Sequence, residues 1–366
     1  MPVVSVPGRT IPGAVDAVAR AEAPSPVVAT VRRAGLEESV HRGFGAVGGS
    51  DGPPELSFGA PETPVYWRSA AKPFQAIPFL EAGGEAAFSL SRDEIALSVA
   101  SHDGEPGHAA TALAMLEKGG FTPADLRCGA HPPYSGRSAE ALVRGGRPFT
   151  ALHNNCSGKH AAMLLACRLF GFDPATYDAP EHPLQRKILE KIAFYSGVEA
   201  GRIEVGVDGC SLPVFRLPIA ALARAYARLV EADDLPGESP PAGESRRGIV
   251  AAMTGSPWFI SGTGQFTTRF LQAGAGRWIG KEGAEGVYAM AIAGRKPRGI
   301  AFKVDDGSSR ARYAIALDIL GKLGVWRGAP PADLRTDLRP AIVNARGLPV
   351  GEIVVDVPLG KPRSAE

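Results

Sequence analysis

The distribution of hydrophobic and polar residues predicts strands at both ends of the chain and helices between them. Residues 27–32 and 39–47 flank Ala34-Gly35-Leu36, a pattern that predicts a hairpin opening a sheet. Four later runs are also predicted as strands: residues 204–207, 286–292, 299–304 and 350–357.

In the middle of the chain, apolar residues recur at helical spacing. Within residues 182–196, Leu184, Ile188 and Ile192 fall on one helical face. Ser91 and Glu94 form a capping-box pattern, which predicts a helix start. Further helices are predicted at residues 67–83, 91–100, 107–118, 161–169, 212–230 (kinked at Pro218) and 308–323, and residues 235–243 are predicted as a loop.

This order of elements favours an α+β fold, with one mostly antiparallel sheet flanked by helices. Residues 1–25 are predicted as a flexible N-terminal leader. Residues 26–366 are predicted as a single domain with a helical sub-region at about residues 85–255, since 366 residues suffice for one large domain.

Composition limits the classes of function. The formal net charge is +2, with 40 Lys and Arg against 38 Asp and Glu, so no nucleic-acid partner is predicted. No apolar run reaches the roughly 18 residues of a membrane span, and the N-terminus is a poor signal peptide, so we expect a cytoplasmic protein with no membrane partner. Four cysteines in a chain of this length suggest a thiol or metal role rather than a disulfide framework.

Ser69 and Lys72 form a Ser-x-x-Lys motif at a predicted helix start. Pro73 is tolerated only in or near the first turn of a helix, which places Ser69 at the N-terminus with Lys72 one turn further on. A neutral lysine there can take the serine proton, and the helix dipole stabilises the alkoxide. The structural alternative is an N-cap serine beside a surface lysine.

A second polar stretch, Ser-His-Asp-Gly-Glu at residues 101–105, follows a predicted helix. It is too polar for a core and offers a second hydroxyl, Ser101, together with general acid and base groups. An Asx-type turn is the structural alternative.

Cys156, Lys159 and His160 share one face at the start of a predicted helix, and Cys210 follows Asp208 at the end of a predicted strand. Two thiolates with one nitrogen or water suit Zn²⁺ with an open coordination position. The third ligand is Lys159 or His160. Spacing alone favours His160, because an amine must lose its proton before it binds a metal. The structural alternative is a buried cysteine beside a solvated lysine.

Five segments, taken in order, carry a family resemblance. They are Val-Tyr-Trp-Arg-Ser-Ala-Ala-Lys-Pro-Phe-Gln at 65–75, Ala-Ser-His-Asp-Gly-Glu at 100–105, His-Asn-Asn-Cys-Ser-Gly-Lys-His at 153–160, Val-Asp-Gly-Cys at 207–210 and Lys-Glu-Gly-Ala-Glu-Gly-Val-Tyr at 281–288. Together they resemble the asparaginase II family of the Rhizobium etli inducible type, over about residues 26–358. The resemblance implies a hydrolase that converts L-asparagine to L-aspartate and ammonia. It also implies a homodimer whose subunit resembles serine β-lactamases and penicillin-binding-type glutaminases.

The resemblance also assigns roles to residues. It implies two catalytic serine–lysine tandems in one pocket, Ser69 with Lys72 and Ser101 with Lys281. It implies zinc bound by Cys156, Lys159 and Cys210, which replaces the preference for His160, and no organic cofactor. His160, Asp208 and Arg68 are then expected to face the substrate. Asp103 departs from the pattern, which leads us to expect Asn at this position.

Two alternatives remain open. The same scaffold serves a glutaminase or another serine acyl hydrolase that acts on β-lactams or peptides. A protein of a different class, a catalytically silent zinc-dependent amino-acid-binding protein, would keep the same pocket.

Overall fold

Eleven β-strands are described within residues 24–362, the part of the chain covered by this computed structural model, and all of their pairings are antiparallel. Their bounds are β1 Val27–Arg33, β2 Leu36–Gly48, β3 Leu56–Phe58, β4 Pro64–Tyr66, β5 Glu204–Val207, β6 Pro213–Pro218, β7 Trp278–Glu282, β8 Val287–Ile292, β9 Arg298–Val304, β10 Ala341–Val343 and β11 Pro349–Val355. Eight strands form one sheet in the order β10-β11-β1-β2-β9-β8-β7, with β3 also paired to β2. The other three form a small sheet in the order β4-β6-β5.

Thirteen α-helices occur in the same part of the chain, and most of them lie between β4 and β7 in sequence. Their bounds are α1 Lys72–Glu81, α2 Gly84–Ala87, α3 Arg92–Ser98, α4 Pro106–Lys118, α5 Gly136–Arg144, α6 Ser157–Phe170, α7 Pro183–Ser196, α8 Ile219–Leu229, α9 Pro240–Gly255, α10 Pro257–Ile260, α11 Phe266–Gly274, α12 Arg312–Lys322 and α13 Arg335–Leu338. The α+β class with a mostly antiparallel sheet is therefore confirmed.

The predicted N-terminal hairpin is confirmed by a tight turn at Ala34 and Gly35. Their φ angles are +48° and +81°, the positive values that a two-residue type I′ hairpin turn requires. The 13-residue β2 also pairs with β9, from Gly43 to Gly48. The N-terminal hairpin is thereby joined to the strands near the C-terminal end.

The large sheet is covered on both faces, as the alternation along β8 shows. Tyr288 and Met290 belong to a buried cluster that includes Ile315 of α12. The intervening Ala289 and Ala291 belong to a second, larger cluster that contains much of α1, α6 and α8. Because successive strand residues point to opposite faces, the sheet separates these two cores.

The prediction of one kinked helix at residues 212–230 is wrong. The segment forms β6, Pro213–Pro218, followed by α8, Ile219–Leu229. Pro218 has φ −50° and ψ +144°, an extended conformation directly before the helix. Because proline has no N–H and restricts the residue before it, it separates the two elements instead of kinking one.

The boundaries of two other predictions also change. Residues 235–243 are only partly loop, because α9 begins at Pro240, where proline is favoured in the first helical turn. Helix α5, Gly136–Arg144, lies in a part of the chain where the sequence analysis predicts no helix.

Three predictions are not tested by this structure. The leader falls mainly at residues 1–23, which lie outside the described residues. The division into leader, domain and helical sub-region stays a prediction, as does the resemblance to serine β-lactamases.

Among the helices described from residue 24 to residue 362, none is long and apolar enough to cross a membrane.

Candidate active site

Five separate segments carry the predicted site residues, and one of them is the loop after β5 that carries Asp208 and Cys210. A 3₁₀ turn, Arg68–Ala71, leads into α1, and Ser101 lies beyond the end of α3. The start of α6 packs against α3 so closely that a Cβ on Gly158 would lie 2.4 Å from the carbonyl oxygen of Leu97. Strand β7 supplies Lys281 from the sheet. Gly158 therefore permits the close approach of α6 to α3.

The hydroxyl of Ser101 lies between two lysine side chains. Lys72 Nζ is 3.0 Å from Ser101 Oγ, and Lys281 Nζ is 2.7 Å from the same atom. Both lysine residues are almost completely buried, with exposures of 1% and 0%. Two buried amines sharing one hydroxyl form an arrangement that can move protons, provided that one amine is neutral.

Lys72 Nζ has three hydrogen-bond acceptors, one for each proton of an ammonium group. Its Nζ donates to the carbonyl oxygens of Ala100 and Asn155 as well as to Ser101 Oγ. A charged lysine has three N–H donors and no acceptor, so this set matches its protonated form.

Lys281 has an environment that favours loss of its proton. Burial lowers the pKa of Lys281, and repulsion from Lys72 lowers it further, while the carboxylate of Glu282 opposes both, leaving a pKa of about 8. Nζ lies 2.9 Å from Glu282 Oε1 and 3.3 Å from the carbonyl oxygen of that residue. A neutral Lys281 donates both of its protons to Glu282 and accepts the Ser101 O–H, which makes it the better base of the two lysines.

Ser69 lies in the 3₁₀ turn, partly exposed, three residues before Lys72. Among residues 24–362, its hydroxyl makes no hydrogen bond, and Lys72 contacts Ser101 instead. Arg68, directly before it, has φ +50°, a left-handed conformation that is uncommon for a residue with a side chain. The Ser69–Lys72 motif therefore lies at the start of α1. Ser69 is partly exposed, and its hydroxyl has no hydrogen-bond partner among residues 24–362.

The left-handed Arg68 directs its guanidinium to Asp208, which follows β5. Two of its nitrogens lie 2.8 Å from Asp208 Oδ1. Burial alone would raise the pKa of Asp208, but the charges of Lys159 and Arg68 together lower it. The pair presents one fixed charge of each sign next to Ser69.

The sulfur cluster joins the start of α6 to the loop after β5. Lys159 Nζ lies 3.2 Å from Cys210 Sγ, and Cys156, Lys159 and Cys210 are all buried, with exposures of 3–4%. A hydrogen bond from Cys210 is the main cause that lowers the pKa of Cys156, and Lys72 and Lys159 also favour the thiolate. The same contact, together with burial, raises the pKa of Cys210.

This donor set fits a zinc ion. The two thiol groups are ligands of a type that binds Zn²⁺, and the amine beside them adds a nitrogen that can bind only in its neutral form. Burial disfavours a charged Lys159, but Cys210, Cys156 and Asp208 raise its pKa, so metal binding has to displace a proton. Within residues 24–362, no three His, Cys, Asp or Glu side chains form a group that could hold a metal ion, so this donor set depends on Lys159.

His160 is completely buried behind this cluster. Its Nδ1 lies 2.6 Å from Tyr177 Oη, which also accepts the backbone N–H of Arg127. The tyrosine therefore donates to Nδ1, and Nε2 of His160 carries the proton. That Nε2–H has no partner among the described residues. This buried nitrogen is therefore available to a bound molecule, and Tyr177, which contacts the other ring nitrogen, was not predicted from the sequence.

The loop at residues 101–105 is held from both sides. His102 Nε2 lies 2.9 Å from Ser157 Oγ at the start of α6, and its Nδ1 accepts the backbone N–H of Gly104. Asp103 accepts a hydrogen bond from Gln265, and burial raises its pKa to about 6. The sequence analysis did not identify Gln265 or Glu282 as site residues. Glu282 had one local signal, its position next to Lys281, and Gln265 had none.

Comparison with known proteins identifies the family of the chain. A family model described as L-asparaginase II matches residues 29–355, most of the chain. No curated protein matches the chain by sequence search. The chain therefore belongs to the L-asparaginase II family and is a hydrolase that acts on amides.

Proposed function

We propose that this chain hydrolyses the side-chain amide of L-asparagine to give L-aspartate and ammonia through a serine nucleophile activated by lysines. The family suggests the substrate. The observation that carries the mechanism is the position of Ser101 Oγ, 3.0 Å from Lys72 Nζ and 2.7 Å from Lys281 Nζ. A protein that only bound amino acids would gain nothing from burying two amines on one hydroxyl, because burial of each ammonium costs free energy.

Substrate binding follows from the Arg68–Asp208 pair. Free asparagine carries an α-carboxylate and an α-ammonium group, and the pair offers one group of the opposite charge to each. The substrate carboxylate takes a place on Arg68, and its ammonium a place on Asp208. The unpaired Nε2–H of His160 offers a further donor for an oxygen of the substrate or of a bound water.

Ser69 is the proposed nucleophile, because its hydroxyl is accessible at the helix entrance and next to the charged pair. Ser101 passes a proton between the lysines: its own proton moves to neutral Lys281, while Lys72 gives one to Ser101. Lys72 is then neutral and takes the proton of Ser69 as the oxygen attacks the amide carbon. General-base assistance of this kind typically contributes about 10²–10⁴-fold to the rate.

The reaction is completed by reversing the proton movements. The C–N bond breaks, Lys72 protonates the leaving nitrogen, and ammonia departs from an aspartyl ester on Ser69. Water then attacks the ester carbon, gives a proton to the lysines and restores the serine. Backbone N–H groups at the start of α1 face the oxyanion, each well-placed donor contributing about 3–4 kcal/mol.

We also propose that Cys156, Lys159 and Cys210 hold Zn²⁺. When bound, the metal supplies a fixed positive charge that keeps both sulfurs as thiolates and the Lys159 amine neutral. The residues themselves then orient Asp208 and the start of α6 towards the substrate. The nucleophile comes from the serines, so the proposal needs no metal-activated water.

Several further properties are proposals that rest either on the resemblance or on the sequence patterns described above. We propose a homodimer, a cytoplasmic location and a subunit related in fold to serine β-lactamases. The predicted leader at residues 1–25 and the single domain at residues 26–366 are retained as proposals. Gel filtration with light scattering tests the dimer, which should have twice the 38.2 kDa mass of the chain.

A coupled ammonia assay tests the proposed reaction. The purified protein is supplied in parallel with L-asparagine, L-glutamine and a chromogenic β-lactam, with and without a chelator. Asparagine should be the best substrate by kcat/KM. Preference for glutamine or the β-lactam would favour the related acyl hydrolases. Asparagine that raises the melting temperature without turnover would favour the silent binding protein.

A further inference from the structure

An exposed aromatic residue stands at the mouth of the candidate site. Tyr134 has 63% of its surface exposed, and it lies in residues 131–135, here called the rim segment, directly before α5. Its ring stacks on His131, with ring centroids 4.9 Å apart and an angle of 25° between the planes. Tyrosine is enriched at binding surfaces because its ring supplies a large apolar contact area and its hydroxyl a polar end.

The rim segment is fastened to both walls of the site. His131 Nε2 accepts the backbone N–H of Asn155 at 3.2 Å, next to Cys156, and its Nδ1 donates to the carbonyl oxygen of Pro132. On the other side, the backbone N–H of Ser135 donates to the carbonyl oxygen of Asp103 at 3.0 Å. The segment therefore bridges the start of α6 and the loop that carries Ser101.

The phenol of Tyr134 lies within electrostatic range of both walls of the site. Burial is the first cause that raises its pKa, and the negative charges of Cys156 and Asp103 raise it further. Those two groups lie on the opposite walls that the rim segment joins. The contacts of the rim segment with Asn155 and Asp103 therefore place Tyr134 beside the gap between the walls.

We propose that Tyr134 forms the outer wall of the amino-acid pocket and contacts the bound substrate. The ring covers the methylene group of asparagine and becomes buried when the substrate enters, and His131 is a positioning residue that sets the angle of the ring. This inference rests on the proposed function and adds a residue that determines affinity for the amino acid. The reacting atoms lie deeper, at Ser69 and the two lysines, so the effect of the ring appears in KM rather than in kcat.

Two substitutions of Tyr134 test the inference on the full-length protein. Tyr134→Ala should raise KM for asparagine at least about fivefold, with kcat within about twofold of the wild type. Tyr134→Phe keeps the ring and should stay within about twofold in both constants. His131→Ala should raise KM by an intermediate factor, because the ring remains but loses its support.

Val143→Ala is the matched control, since Val143 is 65% exposed on the neighbouring α5 and faces no site residue proposed here. It should leave both constants unchanged, and equal melting temperatures for all variants exclude misfolding. Tyr134→Ala with unchanged KM overturns the inference.

Failure of the inference and failure of the proposed function are distinguishable. If the wild type releases no ammonia from asparagine, the proposed function fails, and calorimetric binding of asparagine takes the place of KM. Weaker binding by Tyr134→Ala than by the wild type then still supports the inference, and equal binding overturns it. A wild type that neither binds nor hydrolyses asparagine overturns both.

Discussion

Lys281 lies closer to the hydroxyl of Ser101 than Lys72 does, at 2.7 Å against 3.0 Å. The hydrogen-bond partners of the two lysines also differ in kind. Those of Lys72 are two backbone carbonyls and the serine, whereas Lys281 has the carboxylate of Glu282 beside it. In the mechanism proposed above, this asymmetry makes Lys281 the residue whose protonation state limits the reaction.

The activity should depend on pH through Lys281. Its pKa of about 8 lies below the ordinary lysine value, so the neutral base forms as the pH rises through about 8. The rate kcat should therefore increase with pH across this range and reach a plateau above it. A pH–rate profile with asparagine measures the midpoint. A flat profile between pH 6 and pH 9 would show that Lys281 does not limit the reaction.

Replacing Glu282 should move that midpoint. The carboxylate of Glu282 raises the pKa of Lys281, so Glu282→Gln removes a charge that stabilises the ammonium form. The midpoint of the pH–rate profile should shift to lower pH, by about one unit or more, since one unit corresponds to about 1.36 kcal/mol of interaction. Thr267 Oγ1, which donates to Glu282 at 2.5 Å, can still donate to the amide oxygen. A shift to higher pH would contradict the assignment.

Arg68 and Asp208 should act as a unit in substrate binding. Arg68→Ala and Asp208→Asn each remove one of the two charges offered to the amino acid, and each should raise KM for asparagine about tenfold or more. The double variant should lose less than the product of the two effects, because the partners are in direct contact. Fully multiplicative effects in this cycle would mean that the two residues serve separate functions.

Zinc content tests the sulfur cluster. Metal analysis of the purified protein should find about one zinc ion per chain, because Cys156, Lys159 and Cys210 form one ligand set. Cys210→Ser should lose the metal. Cys167→Ser is the matched control, since Cys167 is also buried but lies outside the cluster. Retention of zinc by the Cys210 variant would remove this residue from the ligand set.

A methyl group at Gly158 should separate the two walls of the site. Its Cβ would lie 2.4 Å from the carbonyl oxygen of Leu97, so Gly158→Ala should lower the stability by about 1–3 kcal/mol and reduce kcat. Gly248→Ala in α9 is the control, because nothing lies within 4 Å of its Cβ and alanine favours the helix. Urea unfolding and ammonia release measure both effects. Equal stability of the Gly158 variant and the wild type would contradict the close packing.

Local patterns explain which parts of the fold could be predicted. The capping box at Ser91 and Glu94 was predicted because both partners lie within four residues, and both of its hydrogen bonds are present. The hairpin at Ala34 and Gly35 was predicted for the same reason. The strand β6 was missed because its apolar run continues directly into α8, and Pro218 marks a boundary that the pattern alone reads as a kink.

The site is formed by contacts between residues that are far apart in the sequence, which local patterns cannot predict. Ser69 and Lys72 were found through their spacing, but the hydrogen bond of Lys72 goes to Ser101, 29 residues away. Lys281 is 180 residues from Ser101 and lies on a strand, β7, that was not predicted. The resemblance to a family supplied that pairing; no spacing or periodicity did. Tyr134 carried no signal at all, because its contacts depend on the folded position of α5.

The most direct test of the serine mechanism is to identify the residue that carries the acyl group. The protein is mixed with L-asparagine, quenched in acid during turnover, digested and analysed by mass spectrometry. The account predicts an aspartyl ester on the peptide that contains Ser69 and no ester in the Ser69→Ala variant. An ester on the peptide that contains Ser101, or hydrolysis that continues within about tenfold of the wild-type rate in Ser69→Ala, would contradict it.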